Sequence, residues 1–334
     1  MTPRRVTMAD VAREAGVSLM TVSRVVNGKD GISASTRQHV QAIIDRLGYR
    51  PSSIARGLVT RRTGTIGLIV PDNTNPFFSE VAQGAEHEAY AEGYNVFLCN
   101  TEEDPQRELT VLQSLEEKRV DGIVLCSSRL EDEVLHTVLA NHPAAVLVNR
   151  PLERPGLGLV RVDDVQCGKL ASEHLLRTGH RAIGMLAGPA HSYSGRGRIA
   201  GYRTALQAAG ISPDPGWIEY CLPVVEEGRD AAIALLTAHP EITALYCYND
   251  LVAVGALQAC ASLGRTVPHD VAIIGNDNIP LAALVTPPLT TCHVSQYDIG
   301  SQAMRLLLNQ IEGCPDGCED VVIQPELIVR ASAP

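Results

Sequence analysis

Residues 6–28 of this 334-residue chain run VTMADVAREAGVSLMTVSRVVNG, a pattern typical of two short helices joined by a glycine turn. Thr7 and Asp10 have the spacing of a capped helix start, and apolar residues then recur at helical intervals. Gly16 supplies the turn, and Ser18 can cap the second helix. The stretch therefore predicts a helix-turn-helix, whose second helix enters the major groove of DNA.

The second of these helices has a buried and an exposed face. Val22, Val25 and Val26 share one side and predict contact with a small core. The outward side chains, which we expect to meet DNA, are Leu19, Met20, Ser23, Arg24 and Asn27. Apolar and polar groups in these positions select bases through thymine methyl groups and base-edge hydrogen bonds.

Charge is segregated along the chain. Residues 1–62 hold 11 lysines and arginines against 4 acidic residues, a net of +7, so the rest carries −17 of the total of −10. Nonspecific affinity for DNA comes mostly from Lys and Arg that displace counterions from phosphates. The amino-terminal segment, Arg50 included, is therefore the part expected to contact phosphates.

The composition excludes several classes of protein. No apolar run approaches the roughly 18 residues of a membrane span, and the start of the chain lacks the apolar core of a signal peptide. We expect a cytoplasmic protein with reduced cysteines and no membrane partner. Cys314 and Cys318 enclose turn residues, and no second Cys or His pair stands nearby, so we predict a surface loop and no metal.

The remainder of the chain divides into a linker and an α/β body. Apolar spacing over residues 33–47 predicts a third helix, which Gly48 ends, and Pro51 begins a linker. Short β-branched runs then alternate with amphipathic helices, as in parallel sheets. The clearest predicted strands are Thr65–Val70, Tyr94–Cys99, Gly122–Cys126, Ala144–Val148, Ile183–Ala187, Thr243–Cys247 and Val271–Ile274.

The amino-terminal segment resembles the headpiece of the lac-repressor family (LacI/GalR type) of bacterial regulators, V-T-x-x-D-V-A-x-x-A-G-V-S-x-x-T-V-S-R-V-x-N-G, and the resemblance continues through the whole chain. It implies an all-α helix-turn-helix headpiece with a hinge helix, joined to a two-lobed α/β body like that of a periplasmic sugar-binding protein. The DNA contacts that it implies are Thr7, Ser18, Leu19, Met20, Thr21, Ser23, Arg24, Asn27, Arg50, Ala55 and Leu58.

The resemblance also gives the domain boundaries and a role for the linker. We expect the headpiece at 1–50, the hinge at 51–62 and a ligand-binding and dimerisation body at 63–334. The lobes are expected at 63–163 with 294–324, and at 164–293 with 325–334. In the hinge, Leu58 matches a leucine that wedges into the minor groove, where an apolar side chain unstacks and kinks the duplex.

Ligands of open α/β sheets bind beyond the carboxyl ends of the strands, where several loops of this chain are polar. Phe77 and Phe78 follow the first predicted strand and fit either the core or a ligand face. The family's ligand-contacting positions correspond to Phe77, Phe78, Asn149, Ser192, Ser194, Arg198, Asn249 and Asp277. Asn149 stands where the family commonly has Asp, and Asp250 has the pattern of a helix cap.

An arginine with Asn, Asp and aromatic neighbours suits a polyhydroxylated ligand, so we predict a sugar. Pro223 stands where purine-binding members have an aromatic wall, which disfavours a purine. The chain is thus expected to be a ligand-controlled repressor that binds a palindromic operator as a homodimer and needs no cofactor. A two-lobed sugar enzyme with a fused DNA head is the alternative, although no G-x-S-x-G elbow, Walker loop or H-E-x-x-H occurs. A periplasmic binding protein is disfavoured by the headpiece and the missing signal peptide.

Overall fold

The computed structural model describes residues 6–50, 62–212, 214–314 and 318–334. They fall into two compact units that divide between Thr63 and Gly64. No helix of the described ranges is long and apolar enough to cross a membrane.

The first unit is a bundle of three helices, α1 (Met8–Ala15), α2 (Leu19–Val26) and α3 (Ala34–Leu47). Thr7 caps α1 in a reciprocal capping box with Asp10, and Ser18 and Ser33 cap the other two. Left-handed glycines at 16 and 48 end α1 and α3, which satisfies carbonyl groups that a helix end leaves unpaired. The helix-turn-helix predicted from the sequence is confirmed.

The core of this unit is small but well defined. Val11, Val22 and Val40 have no exposed surface, and each comes from a different helix. Burying an apolar side chain of this size contributes roughly 1.5–3 kcal/mol, so the three contacts hold the helices together. The opposite side of α2 carries Leu19 and Met20, which are 54% and 67% exposed.

The second unit contains two six-stranded sheets. The strands of the first are β1 (Thr65–Val70), β2 (Asn95–Asn100), β3 (Gly122–Cys126), β4 (Ala145–Val148), β5 (Gly158–Val162) and β11 (Asp320–Ile323). Those of the second are β6 (Ile183–Ala187), β7 (Ile218–Tyr220), β8 (Ala244–Cys247), β9 (Ala272–Asp277), β10 (Thr290–His293) and β12 (Glu326–Ile328).

Both sheets have the same strand order, β2-β1-β3-β4-β5-β11 in the first and β7-β6-β8-β9-β10-β12 in the second. All neighbouring strands are parallel except β10 and β12. Such doubly wound sheets bind ligands outside the carboxyl ends of their strands. The strand order therefore predicts a ligand site at the carboxyl ends of these strands.

Helices cover both sheets and complete two lobes. The helices of the first lobe are α4 (Pro76–Ala91), α5 (Pro105–Glu117), α6 (Asp132–Leu139) and α12 (Gln296–Glu312). The helices of the second lobe are α7 (Asp164–Arg177), α8 (Tyr193–Ala208), α9 (Val225–Ala238), α10 (Asp250–Ser262) and α11 (Pro280–Leu284). The chain passes between the lobes three times, after β5, after β10 and between β11 and β12.

Three helix pairs pack at backbone contact through glycines. On α4 and α12, a Cβ atom at Gly84 would overlap the carbonyl oxygen of Tyr297, and one at Gly300 would overlap that of Val81. The pairs α7 with α8 and α9 with α10 have the same device. Their glycines are Gly168, Gly201, Gly228 and Gly255, and a Cβ at each would come too close to the backbone of the partner helix.

Several details differ from the sequence-based expectations. Strand β2 begins and ends one residue later than predicted, and β5, β7, β10, β11 and β12 were not among the predicted strands. Cys99 is half-buried, whereas Cys126, Cys247 and Cys260 are buried and free as expected. Cys314 and Cys318 are both exposed and free. The predicted hinge helix, with Ala55 and Leu58, lies outside the described residues.

Candidate functional site

A cavity of about 380 Å³, including its open mouth, lies between the two lobes of the second unit. Its lining comes from loops and helix starts that follow strands of both sheets. The residues are Asn75, Phe77, Phe78, Glu103, Ser127, Arg129, Asn149, Ser194, Arg198, Pro223, Tyr248, Asn249 and Asp277. This is the location that the sheet topology predicts for a ligand.

Arg198 is the best-anchored cation of the cavity. Its Nε donates to Asp164 Oδ1 at 2.9 Å, and one terminal nitrogen donates to the carbonyl oxygen of Tyr248. The guanidinium carbon lies 4.9 Å from the centre of the Tyr248 ring, within range of a cation–π interaction. The other terminal nitrogen is 3.8 Å from Asp277 Oδ1, an ion pair too long to be a hydrogen bond.

Asp277 supplies the carboxylate that faces Arg198. Burial raises its pKa to about 6, and the opposing effects of Arg198 and of the Asn276 hydrogen bond are smaller. Its φ of +108° lies in the left-handed half of backbone space. The side-chain amide of Gln296 donates a hydrogen bond to the backbone carbonyl oxygen of Asp277 and stabilises this conformation. Gln296 is the first residue of helix α12, which belongs to the other lobe.

Aromatic rings enter the cavity from both lobes. Phe77 and Phe78 pack edge to face, with centroids 5.0 Å apart, and are 6% and 9% exposed. They belong to the apolar core and also line the cavity, so the core alternative is confirmed and the ligand face stays a prediction. Asn75 starts their helix by accepting a hydrogen bond from the Phe77 amide. Tyr248 faces them from the second lobe.

A second arginine of the lining, Arg129, was missed by the sequence reasoning. It follows strand β3 and forms two hydrogen bonds with Glu103, of 2.5 and 3.1 Å. Its backbone amide donates to Glu108 at 2.9 Å, so both its backbone and its side chain are held by glutamates. Glu103 and Arg129 follow β2 and β3, and the same loop rule that singled out Asn149 could have found them.

The described lining carries two cations, Arg129 and Arg198, and two carboxylates, Glu103 and Asp277. The interior is therefore balanced in formal charge. It offers guanidinium donors, carboxylate and amide oxygens, and aromatic faces at the same time. Such a site can bind a neutral molecule with several hydroxyl groups.

Two family models match the chain. The model described as "Bacterial regulatory proteins, lacI family" matches residues 7–52, and "Periplasmic binding proteins and sugar binding domain of LacI family" matches residues 63–331. The chain belongs to the LacI family. A ligand-controlled DNA-binding regulator, as expected from the sequence, is thereby confirmed as its class.

Related LacI-family proteins cover nearly the whole chain. The HTH-type transcriptional repressor PurR of Haemophilus influenzae is 36% identical over 333 residues, which is 98% of both chains. A solved complex of the transcriptional regulator CelR with cellobiose is 33% identical, covers 98% of this chain and 100% of that chain, and has a TM-score of 0.75. The lac repressor dimer bound to operator and the anti-inducer ONPF is 27% identical, covers 99% of both chains, and has a TM-score of 0.87.

The structure brings most of the predicted ligand residues of this LacI-family chain to one cavity, with changed roles for some. Asn249 caps α10 by accepting from the Val252 amide, and its amide donates to the Pro223 carbonyl oxygen. Asp250, suggested as the cap, instead accepts from Thr291 and Ile279 in the core.

Asn149 and Ser192 also have structural partners. Asn149 lines the cavity, and its side-chain oxygen accepts from the Val162 amide at 2.9 Å. Ser192 does not line the cavity, in contrast to our expectation. It caps α8 through the Gly195 amide and is hydrogen-bonded to the Tyr248 hydroxyl at 3.1 Å. Its contact with the Tyr248 hydroxyl makes it a support for the lining rather than part of it.

The predicted DNA-contacting residues also divide into residues with structural partners and residues with exposed side chains. Thr7 and Ser18 have their hydroxyls engaged as helix caps, Leu19 and Met20 project from α2, and Asn27 donates to the Ser23 carbonyl oxygen. Arg24 and Arg50 are exposed, and Thr21 and Ser23 are half-buried. Within the described ranges, no group of His, Cys, Asp or Glu has the arrangement of a metal site.

Proposed function

We propose that this chain represses transcription by binding a palindromic operator as a homodimer, and that a neutral sugar in the interlobe cavity controls its operator affinity. The observation that carries the proposal is the meeting of Arg198 and Asp277 in that cavity at 3.8 Å. A ligand hydroxyl beside this pair can accept from the guanidinium and donate to the carboxylate. A charged ligand would disturb the balance of two cations and two carboxylates.

A sugar fits the lining better than a purine. The rings of Phe77, Phe78 and Tyr248 supply flat walls against which the apolar face of a pyranose or furanose packs. Pro223 lines the cavity at the position that corresponds to the aromatic wall of purine-binding members. Its carbonyl oxygen already accepts a hydrogen bond from the Asn249 side chain. The related regulator CelR was solved with cellobiose.

Exposed apolar side chains favour a homodimer through the body. Phe97 and Leu98 on the edge strand β2 are 43% and 47% exposed, and Tyr220 on the edge strand β7 is 49% exposed. Uncovered apolar edge strands tend to pair with another chain. The lac repressor relative was solved as a dimer on operator. A second copy of this chain is therefore the partner that we propose.

The DNA reader is helix α2, presented by the exposed Leu19 and Met20. One headpiece reads only a few base pairs, so two heads on a twofold site are needed for useful affinity, with half-sites about one helical turn apart. Because the operator lies on the chromosome, we place the protein in the cytoplasm. We expect no turnover of the ligand, and turnover of a small sugar by pure protein would favour the enzyme alternative.

The test combines operator and ligand titrations. Operator sequences selected from a random pool are labelled, and their affinity is measured by fluorescence anisotropy with pentoses, hexoses, sugar acids and nucleosides. We expect a neutral sugar to change operator affinity about 5–150-fold, the usual range of allosteric coupling. Arg198→Ala is expected to abolish this response and to leave ligand-free operator binding near wild type. A response to nucleosides alone would contradict the sugar assignment.

The dimer is tested separately. In sedimentation velocity, Phe97→Glu with Leu98→Glu is expected to give monomers with weak operator affinity but normal sugar binding. The control is Leu263→Glu, a change at a 39%-exposed residue that directly follows helix α10. Full specific affinity in a monomeric variant would contradict the homodimer.

A further inference from the structure

A second cavity of about 1160 Å³, including its open mouth, adjoins the first. In the first lobe it is lined by residues from Ser128 to Val134 and by Arg150, and in the second lobe by His191 and Arg196. Arg129 lines both cavities. The two cavities, here called inner and outer, therefore meet at this side chain.

Arg129 is held firmly where the two cavities meet. Its guanidinium forms two hydrogen bonds with Glu103, and its backbone amide donates to Glu108, whose other oxygen is hydrogen-bonded to the Ser128 hydroxyl. Burial lowers the pKa of Arg129, but Tyr248 of the other lobe and Glu103 together raise it, so the cation is stable there. A guanidinium has five N–H donors in one plane, so Arg129 can donate to groups in the inner and the outer cavity.

The outer cavity has the chemistry of a second hydroxyl-binding site. Arg150 donates to Asp132 at 2.6 Å and to the Leu130 carbonyl oxygen at 2.9 Å, so one cation and one carboxylate are fixed there. Arg196 adds donors from the other lobe, and Val134, 39% exposed, adds an apolar surface. The three carboxylates of the lining balance its three guanidinium groups in formal charge; the residues are Glu131, Asp132 and Glu133 with Arg129, Arg150 and Arg196. The lining therefore suits a neutral hydroxylated group.

We infer that the ligand has two sugar rings, one in the inner cavity and the second in the outer cavity, with the linkage passing Arg129. This inference rests on the sugar proposed above for the inner cavity. The outer cavity adds polar and apolar lining beside the inner one, because Arg129 belongs to both. A disaccharide would touch the second lobe at Arg198 and Asp277 in the inner cavity and both lobes in the outer cavity, at Arg150 and Arg196.

The experiment compares matched sugars on the full chain by isothermal titration calorimetry. The probes are glucose with cellobiose and maltose, galactose with lactose, and xylose with xylobiose. At least one disaccharide is expected to bind about tenfold more tightly than its monosaccharide. Val134→Trp, which fills the outer cavity from helix α6, should remove this advantage and leave monosaccharide affinity within about twofold.

Thr137→Trp is the matched control, because Thr137 is exposed on the same helix and does not line the cavity. Identical behaviour of the two tryptophan variants would overturn the second subsite, as would equal affinity for one and two rings or a failure of every disaccharide to bind. Operator affinity is measured beside each titration. A disaccharide that binds both subsites without changing operator affinity would leave the subsite standing and contradict the proposed function.

Discussion

Arg198 donates a 2.9 Å hydrogen bond to Asp164, and both side chains are 6% exposed. Asp164 is the first residue of α7, directly after the chain passes from the first lobe to the second. The arginine that we expect to bind the ligand is thus tied to a crossing between the lobes. A ligand that draws the guanidinium toward Asp277 would also pull on Asp164, and would therefore act directly on this crossing.

The first prediction concerns the cost of breaking this ion pair. Asp164→Asn leaves a buried guanidinium without its main counter-charge, and we expect a loss of about 3 kcal/mol in the free energy of unfolding. Urea denaturation of the full chain, followed by circular dichroism, measures it. The control is Asp230→Asn, which breaks the exposed pair with Arg229 and should cost less than about 1 kcal/mol. Equal losses of unfolding free energy in the two variants would show that the buried Arg198–Asp164 pair does not stabilise the fold.

The second prediction is a pH dependence of ligand affinity. Burial raises the pKa of Asp277 from 3.8 to about 6. Protonation is therefore favoured in the fold below that value, and this group's contribution to stability falls as pH rises through 6. A ligand hydroxyl donates to the ionised form, so sugar affinity should fall about three- to fivefold from pH 7.5 to pH 5.5.

Calorimetric titrations at the two pH values test this dependence, with Asp277→Asn as the control. The amide has no titration in this range and should bind weakly at both pH values. A wild-type affinity that is constant between pH 5.5 and 7.5 would exclude Asp277 as an acceptor for the ligand. A pH response that persists in Asp277→Asn would assign it to another group, such as His191.

The third prediction separates base selection from phosphate contact. Exchanging Leu19 and Met20 alters the shape of the exposed apolar surface of α2 and should change the operator selected from a random pool. Arg50→Ala should instead weaken binding to all sequences alike and lower the salt slope by about one. An unchanged operator motif after the exchange would mean that another element reads the bases.

How far the sequence predicted this fold depends on the element. The central strands were predicted because their apolar runs, such as Gly122–Cys126, are buried on both faces. Strands β7, β11 and β12 have three or four residues each and are at most half-buried, so their runs are too short and too exposed to mark a strand in the sequence. Their pairing depends on distant segments, since β12 adds antiparallel to β10 more than thirty residues earlier.

Asp277 was predicted from the family resemblance at a loop that follows a strand, whereas Arg198, which lies inside helix α8, was predicted from the resemblance alone. Arg129 and Glu103 were missed because their pairing joins loops 26 positions apart, and neither loop has a motif by itself. Ser192 was predicted to contact the ligand and is found as the cap of α8, since a Ser before a helix can either cap the helix or face a ligand. Tertiary packing around Tyr248 decides between these two roles.

The fourth prediction concerns the glycine contacts between helices. Gly300→Ala places a Cβ against the Val81 carbonyl group, which is backbone and cannot turn aside. Helices α4 and α12 must separate, and we expect a loss of about 2–3 kcal/mol in stability and a lower Tm by calorimetry. Gly84→Ala should have a similar effect from the facing helix. An unchanged Tm in both variants would show that the two helices can slide without cost.

The six glycines also bear on how a signal crosses the molecule. Backbones in direct contact have no side-chain layer that could shear, so each paired set of helices behaves as a stiff plate with its sheet. We therefore expect any relative motion of the lobes to be concentrated in the three crossings between them. A ligand that closes the cleft is then expected to rotate two rigid halves, so that a small angular change at the sugar is carried over the full height of each lobe.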